Sequence, residues 1–287
     1  MMQNKWQNNF YTTYKGVNLY IDYTSERLKI LNFSCLAENI IRDIIKYAKQ
    51  EKLGKIIINC RIQFLDYFLA CGFVIEGIIK GYFLGEDAIC MAFFIDEKRK
   101  KSAMEEDQNR IIDYCLSNAN SFALIGNRSY TIRRAVKNDI PQMIKLFSIV
   151  FETYPSPVFC SDYLQNIMQE QVLFKVAEEQ GKIISIASAD RDRINLNAEI
   201  TDCATYSEYR GRNIISEIIY SLEADLKADG FITAYSLSRA KNIGINKTLN
   251  KLGYKYSGRL LNNCHISGGY EDMNVWVKDL GKDIQNH

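Results

Sequence analysis

Two stretches of the chain share one hydrophobic pattern. From Ile40 the sequence reads IIRDIIKYAKQEKLGKIIIN, and from Ile214 it reads IISEIIYSLEADLKADGFITAYS. In the second stretch Ile214, Ile215, Ile218, Ile219, Leu222 and Leu226 recur at helical spacing and fall on one face, which predicts an amphipathic helix. A glycine turn follows each helix, at Gly54 in one case and at Gly230, suited to a C-terminal cap, in the other, and a β-rich run follows the glycine. The likeness continues downstream, where Leu69-Ala70-Cys71-Gly72-Phe73 answers Lys251-Leu252-Gly253-Tyr254, and Gly77 and Gly258 occupy matching later places. Both copies end in an apolar strand, Ile89 to Ile95 and Met273 to Val277, and both are preceded by a predicted β-hairpin, Val17 to Phe33 and Ile183 to Thr205. The charged run from Glu97 to Arg110 separates them and predicts the start of a linking helix. The pattern therefore predicts two α/β domains, residues 1–125 and 126–287.

Composition narrows the functions open to such a chain. Its 287 residues are 47% hydrophobic and 24% charged, with 36 basic and 34 acidic side chains for a net charge of +2. That balance argues against a nucleic-acid partner, because phosphate neutralisation gathers basic residues. Eight cysteines without a C-x-x-C pair, and only two histidines, give no zinc spacing, so no metal is expected. Met1 to Phe10 is polar and lacks the apolar core of a secretory signal, and no apolar run reaches the ~20 residues of a membrane helix. The expected setting is the cytoplasm, with no membrane partner and with a homodimer among the assemblies left open.

The copies differ at one junction. Before its helix the second has Ser207-Glu208-Tyr209-Arg210-Gly211-Arg212-Asn213, whereas the first has Phe33-Ser34-Cys35-Leu36-Ala37-Glu38-Asn39, without glycine or clustered cations. A helix N-terminus offers unpartnered N–H groups and a partial positive charge, and Gly211 would let a phosphate approach the backbone. Arg210 and Arg212 would add attraction. Taken alone, Arg-Gly-Arg could equally be a solvated loop; its place between a strand and a strongly amphipathic helix favours an anion cradle.

Tyr209-Arg210-Gly211-Arg212 in that place resembles the pyrophosphate loop of the GNAT acetyltransferases, Q/R-x-x-G-x-G/A. Glu208 stands where Gln or Arg is usual, and Asn213 replaces the last Gly or Ala. The second half is more specifically similar to the β-lysine N-acetyltransferases, which pair a lesser N-terminal domain with a GNAT domain. The likeness rests on Val150-Phe151-Glu152-Thr153-Tyr154-Pro155-Ser156-Pro157, Ala198-Glu199-Ile200-Thr201-Asp202, Lys251-Leu252-Gly253-Tyr254-Lys255-Tyr256, Leu261-Asn262-Asn263, Ile266-Ser267-Gly268 and Met273-Asn274-Val275-Trp276, in the family's order. The resemblance implies a GNAT fold with a mixed central sheet, α/β (α+β) in class, preceded by a smaller, degenerate GNAT-like domain. It implies acetyl-CoA as cosubstrate, held by Cys203, Ala204, Thr205, Arg210, Gly211, Arg212, Asn213, Ile214 and Asn242. Asn242 reads as well as a plain helix cap.

Acetyl transfer to an amine requires an acceptor for a proton whose ordinary pKa is about 10.4. The resemblance places that base at Glu199, which reads equally as a carboxylate on a solvated strand face. Asp202, three residues on, projects to the opposite face unless a bulge intervenes. A backbone N–H of the same strand would hold the oxyanion. The family's general acid, a tyrosine seven residues after the helix asparagine, is Leu249 here, with Tyr254 and Tyr256 as substitutes or as core residues. Glu152, Tyr154, Asp202, Asn262, Asn263, Glu271 and Asn274 are the candidate contacts to a small amine, implied to be β-lysine acetylated to N6-acetyl-β-lysine, a compatible solute. Another small amine, a protein lysine, or non-catalytic acyl-CoA binding are the alternatives. The first domain, lacking a cradle, is expected to pack or dimerise rather than catalyse.

Overall fold

The computed structural model describes residues 9–33, 39–118, 122–124 and 128–281. Its strands form one mixed sheet that passes through both halves of the chain. In the first half β1 (Phe10–Tyr14), β2 (Val17–Asp22) and β3 (Arg27–Phe33) form a meander, α1 (Ile40–Gln50) crosses back, and β4 (Lys55–Cys60) pairs parallel to β3. After α2 (Leu65–Ala70), the hairpin of β5 (Val74–Phe83) and β6 (Glu86–Phe94) adds its second strand to β4. A helix α3 (Glu105–Ser117) leads to the second half, which begins with β7 (Thr131–Arg134), α4 (Ile140–Val150) and α5 (Ser161–Glu170).

The remainder repeats the first half. A meander of β8 (Val172–Glu179), β9 (Lys182–Asp192) and β10 (Asn197–Thr205) leads through α6 (Ile214–Ala228) to β11 (Thr233–Arg239), parallel to β10. After α7 (Ile243–Lys251), the hairpin of β12 (Lys255–Ile266) and β13 (Gly269–Asp279) adds its second strand to β11. The duplication read from apolar spacing thus reappears as topology, with the order β2-β3-β4-β6-β5 answered by β9-β10-β11-β13-β12. The junction corresponding to the cradle in the first copy, residues 34–38, lies outside the described residues, as does the division at residue 125.

Helix α6 forms as its periodicity predicts. Ile214, Ile218, Ile219, Leu222 and Leu226 are buried against Ala187 and Ala189 of β9 and Ala198 and Ile200 of β10. Each such aliphatic side chain contributes roughly 1.5–3 kcal/mol on burial, which fixes the helix start, and hence the cradle, against the sheet. Ile112 of α3 is buried in this same core, and Asn250 of α7 donates to the Cys115 carbonyl at 2.7 Å, so α3 packs on the second half.

The halves join where β5 and β12 touch, at Gly77 opposite Gly258. A Cβ on Gly258 would lie 2.4 Å from the Glu76 carbonyl oxygen and from the Gly77 Cα, and its φ is +146°. Gly258→Ala should therefore destabilise the protein by about 3 kcal/mol or more, read as an earlier denaturation midpoint; an unchanged midpoint would show that the strands part freely. Beside this contact β12 bulges between Leu260 and Cys264. Three cations of the first half hold the bulge by its carbonyls: Lys55 on Leu261 at 2.7 Å, Arg99 on Asn262 at 2.5 Å and Arg27 on Asn263 at 2.7 Å. Lys55 also pairs with Glu76 at 2.8 Å, and Arg27 with Asp22 at 2.8 Å.

Candidate active site

The cradle is built as the loop's residue types dictate. A single 3-10 turn, Ser207–Tyr209, follows β10, and Gly211 then adopts φ +80° with no atom within 4 Å of where its Cβ would stand. Asn213 caps α6 in the left-handed region at φ +61°. That conformation favours glycine and admits asparagine, which accounts for Asn where the related loops carry Gly or Ala. Its side chain accepts from Lys251 Nζ at 3.2 Å. The Asn213 side chain does not cap the α6 N-terminus, and among the described residues its first N–H groups remain available to an anion.

Arg210, Lys247 and Lys251 line the adjoining cavity, and Arg210 Nε donates to the Thr205 carbonyl at 3.3 Å. Arg212 is turned away: it reaches Ser129 at 2.8 Å and Glu179 at 3.1 Å and lies between the rings of Tyr209 and Tyr130. Replacing Gly211 by valine, which disfavours positive φ, should weaken coenzyme A binding about tenfold or more. Calorimetric titration reads this directly, and an unaltered affinity would contradict the cradle.

From the cradle a cavity of about 770 Å³ runs between β10 and β11. The parallel ladder between these strands ends at Glu199 opposite Tyr235, although both strands continue. They splay, and the gap is lined by Ile200, Thr201, Cys203 and Thr205 on one side and Ser236, Leu237, Ser238 and Arg239 on the other. Apolar and hydroxyl groups along the cleft, with cations and free N–H groups at its mouth, suit an extended acyl carrier ending in phosphates. The Asn242 Oδ1 caps α7 by accepting from Gly244 and Ile245, and the residue also lines the cavity. Ala204 faces the core instead and is 2% exposed.

At the inner end of the cleft β10 carries the bulge that the Asp202 assignment required: Thr201 pairs with Ser188 and Ala204 with Ile186. Asp202 adopts φ +50° and accepts from Ser188 Oγ at 2.6 Å. Glu199 accepts weakly from the Tyr235 hydroxyl at 3.4 Å and stands beside Asp190, its partner on β9. Burial first, then the charges of Asp190 and Asp202, push the Glu199 carboxyl up to about 7, against the opposing pull of Lys29. Burial likewise raises Asp190 and Asp202. Tyr154 lines the cavity next to Asp202, and burial with that neighbouring charge holds its phenol protonated. Tyr163 of α5 responds to Asp202 in the same way.

Of the expected contacts, the structure gathers Asp202 and Tyr154 at the inner end and Cys203, Thr205, Arg210, Gly211, Asn213, Ile214 and Asn242 along the cleft, while Glu199 does not line the cavity and stands within electrostatic reach of Asp202. Others stand apart. Asn262 and Asn263 belong to the bulge held by the first half, where Asn262 Nδ2 donates to the carbonyls of Arg99 and Lys101. Asn274 is buried against Asn246 at 2.9 Å, and Glu152 is exposed and does not line the cavity. Glu271 pairs with Arg239 at 2.7 Å and Lys241 at 2.5 Å, orienting Arg239, which does line it. Leu249 lies in the α6 core, as does Tyr254, while Tyr256 packs on that core's edge. Asp190, Tyr163 and Tyr235 join the site only through strand register and helix placement, which residue spacing alone does not carry. Among the described residues no group of three His, Cys, Asp or Glu side chains could hold a metal ion, and no helix is long and apolar enough to cross a membrane.

A splayed pair of parallel strands, a bulge beside a carboxylate and an anion cradle at the next helix define an acetyl-CoA-dependent N-acetyltransferase of the GNAT class. The family profile described as an acetyltransferase (GNAT) domain matches residues 131–242. The chain is 36% identical over 264 residues to the β-lysine N(6)-acetyltransferase of Methanosarcina mazei, covering 85% of this chain and 97% of that one. It is 33% identical over 267 residues to N-acetyltransferase YodP of Bacillus subtilis, covering 92% and 97%. The chain belongs to the β-lysine N-acetyltransferase family, and it transfers acetyl groups to an amine. A solved N-acetyltransferase from Staphylococcus aureus Mu50 aligns at 21% identity with a TM-score of 0.47, covering 53% of this chain and 98% of that one.

Proposed function

We propose that the chain acetylates the terminal amine of β-lysine, giving N6-acetyl-β-lysine for use as a compatible solute. The carboxylate cluster of Asp202, at the inner end of the cleft, with Glu199 and Asp190 beyond it carries this reading, because a diamino acid brings two ammonium groups there. Two relatives named β-lysine N(6)-acetyltransferase, from Methanosarcina mazei and Methanococcus maripaludis, support it.

Bound acetyl-CoA supplies the acyl group and a thiol leaving group of pKa about 8.5. Arg210, Lys251 and the α6 N-terminus hold its phosphates, and the walls of β10 and β11 guide the reactive end inward. Glu199, ionised above about pH 7, takes the proton from the terminal ammonium and frees the amine to attack. Backbone at the bulge, outside the β9 ladder between Thr201 and Ala204, receives the oxyanion. Leu249 gives no acid, and near neutral pH the thiolate leaves without one.

Thiol release should be strong with β-lysine, weaker with α-lysine and weakest with polyamines. Equal rates with all three would favour a general amine acetyltransferase, and no release with any would end the small-amine reading.

A further inference from the structure

The two halves of the sheet match residue by residue around one row. The parallel ladder of the second half opens at Asn197 opposite Thr233, and Glu199 stands third, opposite Tyr235. The ladder of the first half opens at Arg27 opposite Lys55, and Lys29 stands third, opposite Ile57. On its other side Glu199 pairs with Asp190, and Lys29 with Tyr20. Each strand then bulges by one residue, β10 between Thr201 and Ala204, and β3 between Ile30 and Asn32. Lys29 is therefore the first half's counterpart of the base.

These counterparts lie within electrostatic reach of one another. The Lys29 ammonium acts on Glu199 and Asp190, Tyr11 of β1 feels the charge of Asp190, and Tyr163 of α5 feels Tyr20. Lys29 Nζ lies 5.6 Å from the centre of the Tyr20 ring, and Tyr20 packs on Tyr11 with centroids 4.7 Å apart. Four other cations withdrawn from solvent are paired with carboxylates, Arg27 with Asp22, Lys55 with Glu76, Lys175 with Asp225 and Lys278 with Glu223, and buried Arg99 is held by the carbonyls of Ser25, Glu26 and Asn262. Lys29 forms no ion pair or hydrogen bond among the described residues, although it is largely withdrawn from solvent. Repulsion from Arg27 and then burial press the Lys29 pKa down, against the weaker pull of Asp22, Cys264 and Glu199, so a directly paired anion would favour its charge.

We propose that Lys29 receives the carboxylate of the acceptor, so that the first half of the chain completes the acceptor site and selects an amino acid over a plain diamine. The inference rests on Glu199 as the base of a diamino-acid acetyltransferase. An acceptor with a carboxylate toward β3 and its amines toward β9 and β10 matches the charges on both walls: the Lys29 ammonium beside Arg27 on one, Glu199 and Asp190 on the other. Lys29 would then be a binding and specificity residue, and the first half would hold substrate without a cradle of its own.

The test compares β-lysine with 1,4-diaminopentane, which keeps both amines and lacks the carboxylate. Lys29→Met should lower the ratio of kcat/KM for β-lysine over the diamine about a hundredfold, mainly through KM for β-lysine. Lys29→Arg should recover part of it. Because the Lys29 charge holds the Glu199 carboxyl down, the acid limb of the Lys29→Met pH profile should also move to higher pH. A selectivity ratio within twofold of wild type, in a variant that still binds coenzyme A, would overturn the proposal. Failure of the wild-type enzyme to acetylate β-lysine would instead overturn the reading of the site, and is seen without any variant.

Discussion

Glu199→Gln is expected to lower kcat by about 10²–10⁴-fold while leaving coenzyme A affinity nearly unchanged, since the amide keeps the shape and loses the proton acceptor. The pH dependence carries the same claim. A base must be ionised to act, and the Glu199 carboxyl titrates at about 7. Log kcat/KM should therefore rise with pH below about 7 and level above it. The negative charge of Asp190 helps to hold that value up, so Asp190→Asn should shift the rising limb to lower pH. A limb that stays in place would mean that another group governs it.

The second large effect is on stability and concerns the junction of the halves. Lys55 and Glu76 form a buried pair, and both also bind Leu261, through its carbonyl at 2.7 Å and its N–H at 2.7 Å. Glu76→Ala should cost about 3–5 kcal/mol by chemical denaturation, because it leaves the Lys55 ammonium buried without its anion. The double variant Lys55→Met with Glu76→Leu should recover most of that loss. Burial already pushes Lys55 down to about 8. With its folded value below its unfolded one, the unfolded chain binds more protons between about 8 and 10.5, so stability should rise with pH across that window. In Glu76→Ala, where Lys55 titrates lower still, the window should widen downward. A double variant as weak as the single one would show that lost packing, not the stranded charge, sets the cost.

The fold was legible in the chain wherever local pattern carries it. Apolar spacing places α1 and α6, the glycines after them mark the turns, and the matched Gly77 and Gly258 prove to be the residues at which the halves touch. The loop geometry that a cradle needs was legible because its requirements are local: a glycine at positive φ, a residue that tolerates the left-handed region, and a helix start behind a strand. The inner end of the site was not. Asp190 and Tyr235 reach Glu199 by strand register, Asp202 approaches through a bulge, and Lys29 arrives from a strand about 170 residues earlier in the chain. Asn262 and Asn263 looked like polar ligands because asparagine in a loop has donors and acceptors to spare. Their surroundings use the backbone instead, as carbonyls held by Arg99 and Arg27. Neither role leaves a local signature, since the partners belong to the other half.

The most direct measurement is to incubate the protein with acetyl-CoA and β-lysine and to locate the acetyl group by mass spectrometry and NMR. The account predicts one acetyl group on the terminal amine, one thiol released for each product molecule, and almost no product with Glu199→Gln. Absence of acetylated β-lysine from the wild-type reaction, or equal product from Glu199→Gln, would contradict it.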